Sequence, residues 1–335
     1  MKSDTTPLAD LPWRATRPQA AATVDTGLRI KAPTYWFKLM HPLLERRNRL
    51  RLHGRQQRRY FIMPGDWVSD FTTRFGTFEP EEIRVARHLC LHAFGAEQMA
   101  RSAMLDVGCH IGNYSVELGR YFGMVLALDA VPSFAHVTRA NLAWNGLADR
   151  SHVLCMAAAA RAGPLQLQLD RAGNLGHAQV VALDHGRRRA DGSDVELVEG
   201  MDLDSLLERM EVGRVSFIKM DIEGSEVDAL AGAARTIAQH RPLIQVEVDK
   251  GNLASVVASV QRPGVSYAAW RLVHGNPARH SLPTRVLTIL LAGGNRVYLQ
   301  RLDPARGNTQ VLPCVFLIPD SLELPLADIF PIIER

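Results

Sequence analysis

The sequence predicts an α/β fold in which a mostly parallel sheet is covered by helices on both faces. Three observations lead there. From Ala103 to Val248, short apolar runs alternate with amphipathic stretches of helical length, the pattern of strand–helix–strand units whose strands are buried on both sides. The first apolar run, Met104–Val107, passes through a glycine turn directly into a helical pattern. Near the end the alternation stops: Arg285–Leu291 and Arg296–Arg301 flank Ala292-Gly293-Gly294-Asn295. That reads as an antiparallel hairpin on an otherwise parallel sheet.

The elements follow in order. Residues 1–30 are rich in Ala, Pro and Thr without periodicity and are expected to stay without regular structure. Residues 31–60 form the rest of an N-terminal extension, a basic helical segment, and 61–335 the main domain. A helix is expected over Glu79–Phe94, with Pro80, Glu81 and Glu82 suited to its first turn. Met104–Val107, Met124–Leu128, His152–Met156, Val215–Asp221 and Leu243–Val248 read as strands. Tyr114–Phe122, Ser133–Trp144, Asp204–Met210 and Ser225–Gln239 read as the helices between them. Residues 164–201 read as short strands around the loop RRRADGSD, and Val315–Ile318 as a final strand. No internal repeat is present.

Composition excludes several classes. With 335 residues and 47% hydrophobic content the chain can bury a substantial core. Its longest apolar runs fall well short of the ~20 residues of a membrane helix, and the N-terminus shows no signal-peptide pattern, so a cytoplasmic protein is expected. Cys90, Cys109, Cys155 and Cys314 lack CxxC spacing, which fits a reduced compartment. His88 and His92 have no third ligand nearby, so no metal is expected there. The net charge of +4 is unevenly placed: RRNRLRLHGRQQRR at 46–59 holds seven arginines and no acid, leaving −3 for the remainder. Beside the aromatics Tyr35, Trp36 and Phe37, this segment could contact an anionic surface, such as the inner face of a membrane, a nucleic acid or an acidic glycolipid. A solvated helix covering the main domain is the plainer alternative.

The stretch LDVGCHIGNYS, 105–115, places Asp106 at the mouth of a turn built on Gly108 and Gly112. Asp129, which ends the next strand, lies 23 residues after Asp106, close to the ~20-residue interval of a ribose-binding acid. The pattern misses GxGxxG, because Cys109 and His110 follow Gly108. A carboxylate at the turn would repel a pyrophosphate. It suits a ligand with a ribose, a positive charge and no phosphate. S-adenosyl-L-methionine has these properties, with Asp106, Gly108, His110, Gly112, Asn113 and Asp129 as the candidate contacts. The alternative is an acid that merely caps the turn.

In VSFIKMDIEGSE, 215–226, Lys219, Asp221 and Glu223 share one face if the strand stays extended. Buried charge is expensive, so placing it at the carboxyl end of a strand points to the crevice where open α/β sheets bind ligands. Ser225 and Asp228 match a capping box, and Glu226 falls in the first helical turn. Glu247, in QVEVD, ends the following strand.

DVGCHIGNYS, NLAWNGLADR (141–150), MDLDSLL (201–207) and FIKMDIEGSEVDALAGAARTI (217–237), with the lead-in FGTFEPEEI (75–83), resemble the FkbM family of class I methyltransferases. The resemblance covers roughly residues 62–250, and DIEGSE is its most specific part. Family members usually carry Ala-Asn where this chain has Cys109-His110, and Glu-Pro where it has Asp129-Ala130. The resemblance implies a Rossmann-like fold, S-adenosyl-L-methionine as cofactor, and O-methylation of a small-molecule or glycan acceptor. Asp221, Glu223 and Glu247 are then the candidate base or acceptor-orienting groups, with His110 a lesser one; three carboxylates could instead hold a divalent cation. Two rival readings stay open. The arginine segment would serve an RNA ribose methyltransferase, although Asp221-Ile222-Glu223-Gly224 lacks the Pro-Pro turn of amine-methylating enzymes. A non-catalytic cofactor-binding domain is the other.

Overall fold

The computed structural model describes residues 23–30, 60–63, 66–169, 179–181, 194–274 and 295–322. Its strands are β1 (Thr23–Ile30), β2 (Ala103–Val107), β3 (Met124–Asp129), β4 (Ser151–Cys155), β5 (Ala157–Ala158), β6 (Gly163–Leu169), β7 (Gln179–Val181), β8 (Asp194–Met201), β9 (Val215–Met220), β10 (Leu243–Val248), β11 (Tyr267–His274), β12 (Asn295–Arg301) and β13 (Leu312–Pro319). The helices are α1 (Trp67–Phe75), α2 (Pro80–Ala100), α3 (Asn113–Gly119), α4 (Pro132–Trp144), α5 (Leu203–Arg209), α6 (Glu226–Ala231), α7 (Ala234–His240) and α8 (Leu253–Val260).

A nine-stranded sheet runs in the order β1-β12-β11-β13-β10-β9-β2-β3-β4. Strands β4, β3, β2, β9 and β10 are parallel neighbours, with Asp106 level with Lys219 across β2 and β9. Strand β13 is antiparallel to both β10 and β11, and β12 is antiparallel to β11 and β1. The fold is thus α/β with a mostly parallel centre and antiparallel C-terminal strands, as the alternation predicts. Strands β5 to β8 form a second, four-stranded sheet.

Alternation along each strand feeds two cores. Leu105, Ile218, Met220, Ile244 and Val246 pack with Leu203, Leu206, Leu230, Ile237 and Val256 from α5 to α8. Met104, Phe217, Leu243 and Phe316 pack on the other face with Val85, Leu89 and Leu118 from α2 and α3. Helix starts are set locally: Asp66 caps α1 by accepting from Ser69 N at 2.7 Å, and Asp202 caps α5 by accepting from Ser205 N at 2.8 Å. Pro80 opens α2, and the run continues past the expected Phe94 to Ala100, interrupted at Gly95 (φ 72, ψ 159).

Several expectations are corrected. Residues 23–30 pair with β12 as a strand, although the sequence predicts no structure before residue 30; Val24, Leu28 and Ile30 supply its β-forming character. The other neighbour of β12 is β11, which the periodicity does not reveal; Arg285–Leu291 lies outside the described residues, as does the basic segment 46–59. The single helix expected over Ser225–Gln239 is two, α6 and α7. Among the described residues no helix is long and apolar enough to cross a membrane.

Candidate active site

At the carboxyl ends of β2, β3, β9 and β10 lies a cleft of about 430 Å³. One part of its wall is apolar, with Leu128, Val131, Phe134, Met156 and Leu167. Another is acidic, with Glu79, Asp221, Glu223, Glu247 and Asp249. Gly108, His110 and Asp129 join the two parts, while Trp67, Val68 and Phe78 border the cleft from the N-terminal side.

The glycine turn owes its shape to close packing. Gly108 has φ +77, and a Cβ there would lie 1.8 Å from the Asp221 carbonyl oxygen, so only glycine lets β2 and β9 end side by side. Gly112, at φ +79, is pressed against Thr138 of α4, where a Cβ would lie 2.8 Å from Cγ2. His110 itself is left-handed, at φ 53. Its backbone N–H donates to Asp129 Oδ2 at 2.8 Å, and Val131 N–H donates to Oδ1 at 2.9 Å. Both carboxylate oxygens of Asp129 are therefore oriented by the backbone. Burial pushes its carboxyl up to about 6 against these two donors. The His110 ring rests on Phe134 at 3.9 Å, and its Nε2 lies 3.0 Å from Asp66 Oδ1. Burial works to raise Asp66, but the His110 contact and the Ser69 bonds outweigh it and hold the carboxyl low.

Three of the expected contacts, Asp106, Gly112 and Asn113, do not line the cleft; Gly112 only shapes the turn against Thr138. Asp106 is 2% exposed, and its Oδ2 accepts from Ser115 N at 2.9 Å and Ser115 Oγ at 2.6 Å. It anchors the start of α3 and is not the open carboxylate the sequence implied; burial raises it. Asn113 likewise turns away. Its Oδ1 accepts from Thr77 Oγ1 at 2.8 Å and Phe78 N at 3.2 Å, and its Nδ2 donates to Phe78 O at 2.8 Å. It clamps the segment ahead of α2.

The acidic side is organised by one buried cation. Lys219 is 5% exposed, with Nζ 2.9 Å from Asp221 Oδ2 and 5.0 Å from the Tyr114 ring centre. Burial alone would lower its pKa; Asp221 and Glu79 outweigh that and raise it. Asp221 is held low because Lys219 and a hydrogen bond from Glu247 overcome its own burial. Glu247 moves the opposite way, raised by burial and by the Asp221 charge, so the two carboxyls titrate as a pair. Strand β9 ends at Met220, and Glu223 reaches the cleft through a turn, at φ 51, instead of by strand alternation. Glu226 Oε1 fixes that turn by accepting from Ile222 N and Gly224 N, each at 3.2 Å. The expected capping box is not formed: the Ser225 side chain makes no cap bond. Among the described residues no group of three or more His, Cys, Asp or Glu side chains is arranged to hold a metal ion.

Asp66 and Glu79 were not found from the sequence. Asp66 lies 44 residues before His110, and Glu79 lies 35 before Tyr114, whose OH donates to its Oε2 at 2.8 Å. The one signal for Glu79 was its place inside the FGTFEPEEI lead-in.

Strand order, reversed β13 and a cleft at the carboxyl ends of the parallel strands define a class I methyltransferase fold. The chain belongs to the FkbM methyltransferase family, whose domain model matches residues 106–296. No curated protein matches it. Among solved structures it is similar to the FkbM methyltransferase of Methylobacillus flagellatus, with 19% identity and a TM-score of 0.34. That match covers 70% of this chain and 52% of the other, so this chain spans about half of its length. An O-methyltransferase from Bacillus cereus in complex with SAH is 14% identical over 71% of this chain and 98% of its own, TM-score 0.32.

Proposed function

We propose that this protein moves a methyl group from S-adenosyl-L-methionine to a hydroxyl of a small-molecule or glycan acceptor. One observation carries the reading: a single cleft joins a backbone-oriented acid, Asp129, to a carboxylate-rich end whose buried cation, Lys219, is already paired. The residues fit that cofactor. Leu128, Val131, Phe134 and Met156 would face an adenine ring, Asp129 the ribose hydroxyls, and the acidic wall a cationic amino-acid end. When bound, the cofactor supplies an electrophilic methyl group on a cationic sulfur.

The protein's own work is to position the acceptor and to take its proton. Asp221, held ionised by Lys219, and the neighbouring Glu247 offer carboxyl oxygens that can accept from and orient a hydroxyl. Glu223 is the remaining carboxylate of the turn, placed beside Gly224, which has no side chain to block an approach. It takes the hydroxyl proton, a step worth about 10²–10⁴-fold. Holding the reacting atoms in line supplies roughly 7–11 kcal/mol more.

The test has two stages. Calorimetry with S-adenosylmethionine should show binding to the purified protein; no binding would sink the reading. With an acceptor in hand, Glu223→Gln should slow single turnover by roughly 10²-fold or more at nearly unchanged cofactor affinity. A rate within about threefold of wild type would remove Glu223 from the role of base.

A further inference from the structure

We propose that the Glu79 carboxylate is the counter-ion of the cofactor's α-ammonium group. This rests on the cleft being an S-adenosylmethionine site and deepens that reading at one residue.

Glu79 lines the cleft from a left-handed backbone, φ 47 and ψ 51, just ahead of α2. Its neighbours leave it no freedom to turn away. Asn113 holds the Phe78 backbone from both sides, and Pro80 fixes the next residue as the first of the helix. Tyr114 OH donates to Glu79 Oε2 at 2.8 Å, and Gln245 Nε2 donates to that hydroxyl at 2.6 Å. Asn113 and Tyr114 directly follow Gly112, so Glu79 is tied to the glycine turn itself. Its Oε1 makes no hydrogen bond among the described residues.

Chemistry selects the ammonium. A carboxylate with an open oxygen, in a cleft with no Lys or Arg among its described lining residues, favours a group that is both positive and a hydrogen-bond donor. A sulfonium has no N–H or O–H to give; an ammonium has three. The ribose already has its acid in Asp129. Lys219, the nearby cation, is engaged with Asp221 at 2.9 Å.

A proton linkage follows. Burial pushes Glu79 up to about 7, with Asp221, just past the end of β9, and Glu82 of α2 also raising it and Lys219 and the Tyr114 bond lowering it. The buried thiol of Cys314 in β13 also faces it and stays neutral, its pKa raised by burial. Near neutral pH Glu79 therefore titrates, and an arriving ammonium favours its ionised form and displaces the proton.

The experiment is calorimetry with two probes: S-adenosylhomocysteine, which has the ammonium, and 5′-methylthioadenosine, which shares the adenosine and sulfur but lacks the amino-acid end. Glu79→Gln should weaken the first at least ~10-fold and change the second less than about twofold. In wild type near pH 7, binding of the first should release protons to the buffer, and the variant should release measurably fewer. Gln makes the same backbone demands as Glu; if the variant still fails to fold, Tyr114→Phe should weaken the first probe in the same selective sense. Unchanged affinity for S-adenosylhomocysteine, or equal loss for both probes, overturns the proposal alone. Wild-type protein that binds neither probe overturns the cofactor reading and this proposal with it.

Discussion

The backbone N–H of His110 and the carboxylate of Asp129 hold each other in place across 2.8 Å, joining the glycine turn to the end of β3. The turn's left-handed residue thus orients the acid that would face a ribose. Asp129→Ala leaves the N–H groups of His110 and Val131 without acceptors and removes the ribose contact. Cofactor affinity should fall at least ~10-fold, and unfolding stability by roughly 1–3 kcal/mol. Calorimetry and denaturant titration check both; unchanged affinity in a folded variant contradicts the assignment.

Gly108→Ala should be the most disruptive single methyl in the turn. The added carbon would lie 1.8 Å from the Asp221 carbonyl oxygen, which belongs to backbone and cannot rotate aside. A loss of several kcal/mol, with cofactor binding abolished, is expected. Gly146→Ala is the control: its φ is +72 but nothing lies within 4 Å, so only about 1 kcal/mol of backbone strain is added. Equal melting temperatures for the two variants would contradict the close-packing account.

Lys219→Met keeps much of the volume and removes the buried cation. Asp221 is left without its partner, and the carboxylates of Glu79 and Asp106 lose the charge that offsets them. The cost should be roughly 2–3 kcal/mol, below the usual range for breaking a buried pair because the Asp221 side chain is 33% exposed. It should shrink in mild acid, where the carboxylates neutralise. A loss independent of pH would point to packing alone.

Glu79 also predicts a pH dependence of stability. Its pKa is about 7 in the fold against an ordinary 4.5. A raised carboxyl contributes its stability in full below the unfolded value and loses it as pH rises through the folded one. Glu79→Gln stays neutral and escapes that loss. The variant should gain on wild type by on the order of 1 kcal/mol near pH 8 and show no gain near pH 4. Parallel stability curves would refute the raised value.

Residues 46–59 remain our candidate for an anionic contact. Deleting them should abolish salt-sensitive binding to vesicles containing acidic lipid and leave cofactor affinity intact. Identical vesicle binding by the two proteins would retire the idea.

Periodicity made the parallel half of the fold legible, because strands such as β9 and β10 are short apolar runs between turn residues and helices. Strand β11, Tyr267–His274, was missed: it is interrupted by Arg271 and gains its identity from β12 and β13 on either side. At the site, Asp129, His110 and the three carboxylates do meet in one cleft. Asp106 and Asn113 were misplaced because a motif gives spacing and not side-chain direction; Ser115 and Phe78 decided where each points. Asp66 and Glu79 were hidden because the chain brings them to the turn only by tertiary packing.

The reversed strand β13 has a consequence for assembly. It lies between β10 and β11 and supplies the hydrogen-bonding edge of both. While the chain is being synthesised, residues up to 274 can leave the ribosome with β10 and β11 complete yet unable to join, because residues 312–319 are still to come. Both edges are then open templates for pairing with another chain. Closure of the sheet is a late, long-range event that carries a loop-closure cost before any contact offsets it. A nascent chain stalled before residue 312 should therefore engage holdase chaperones, and release past β13 should free it.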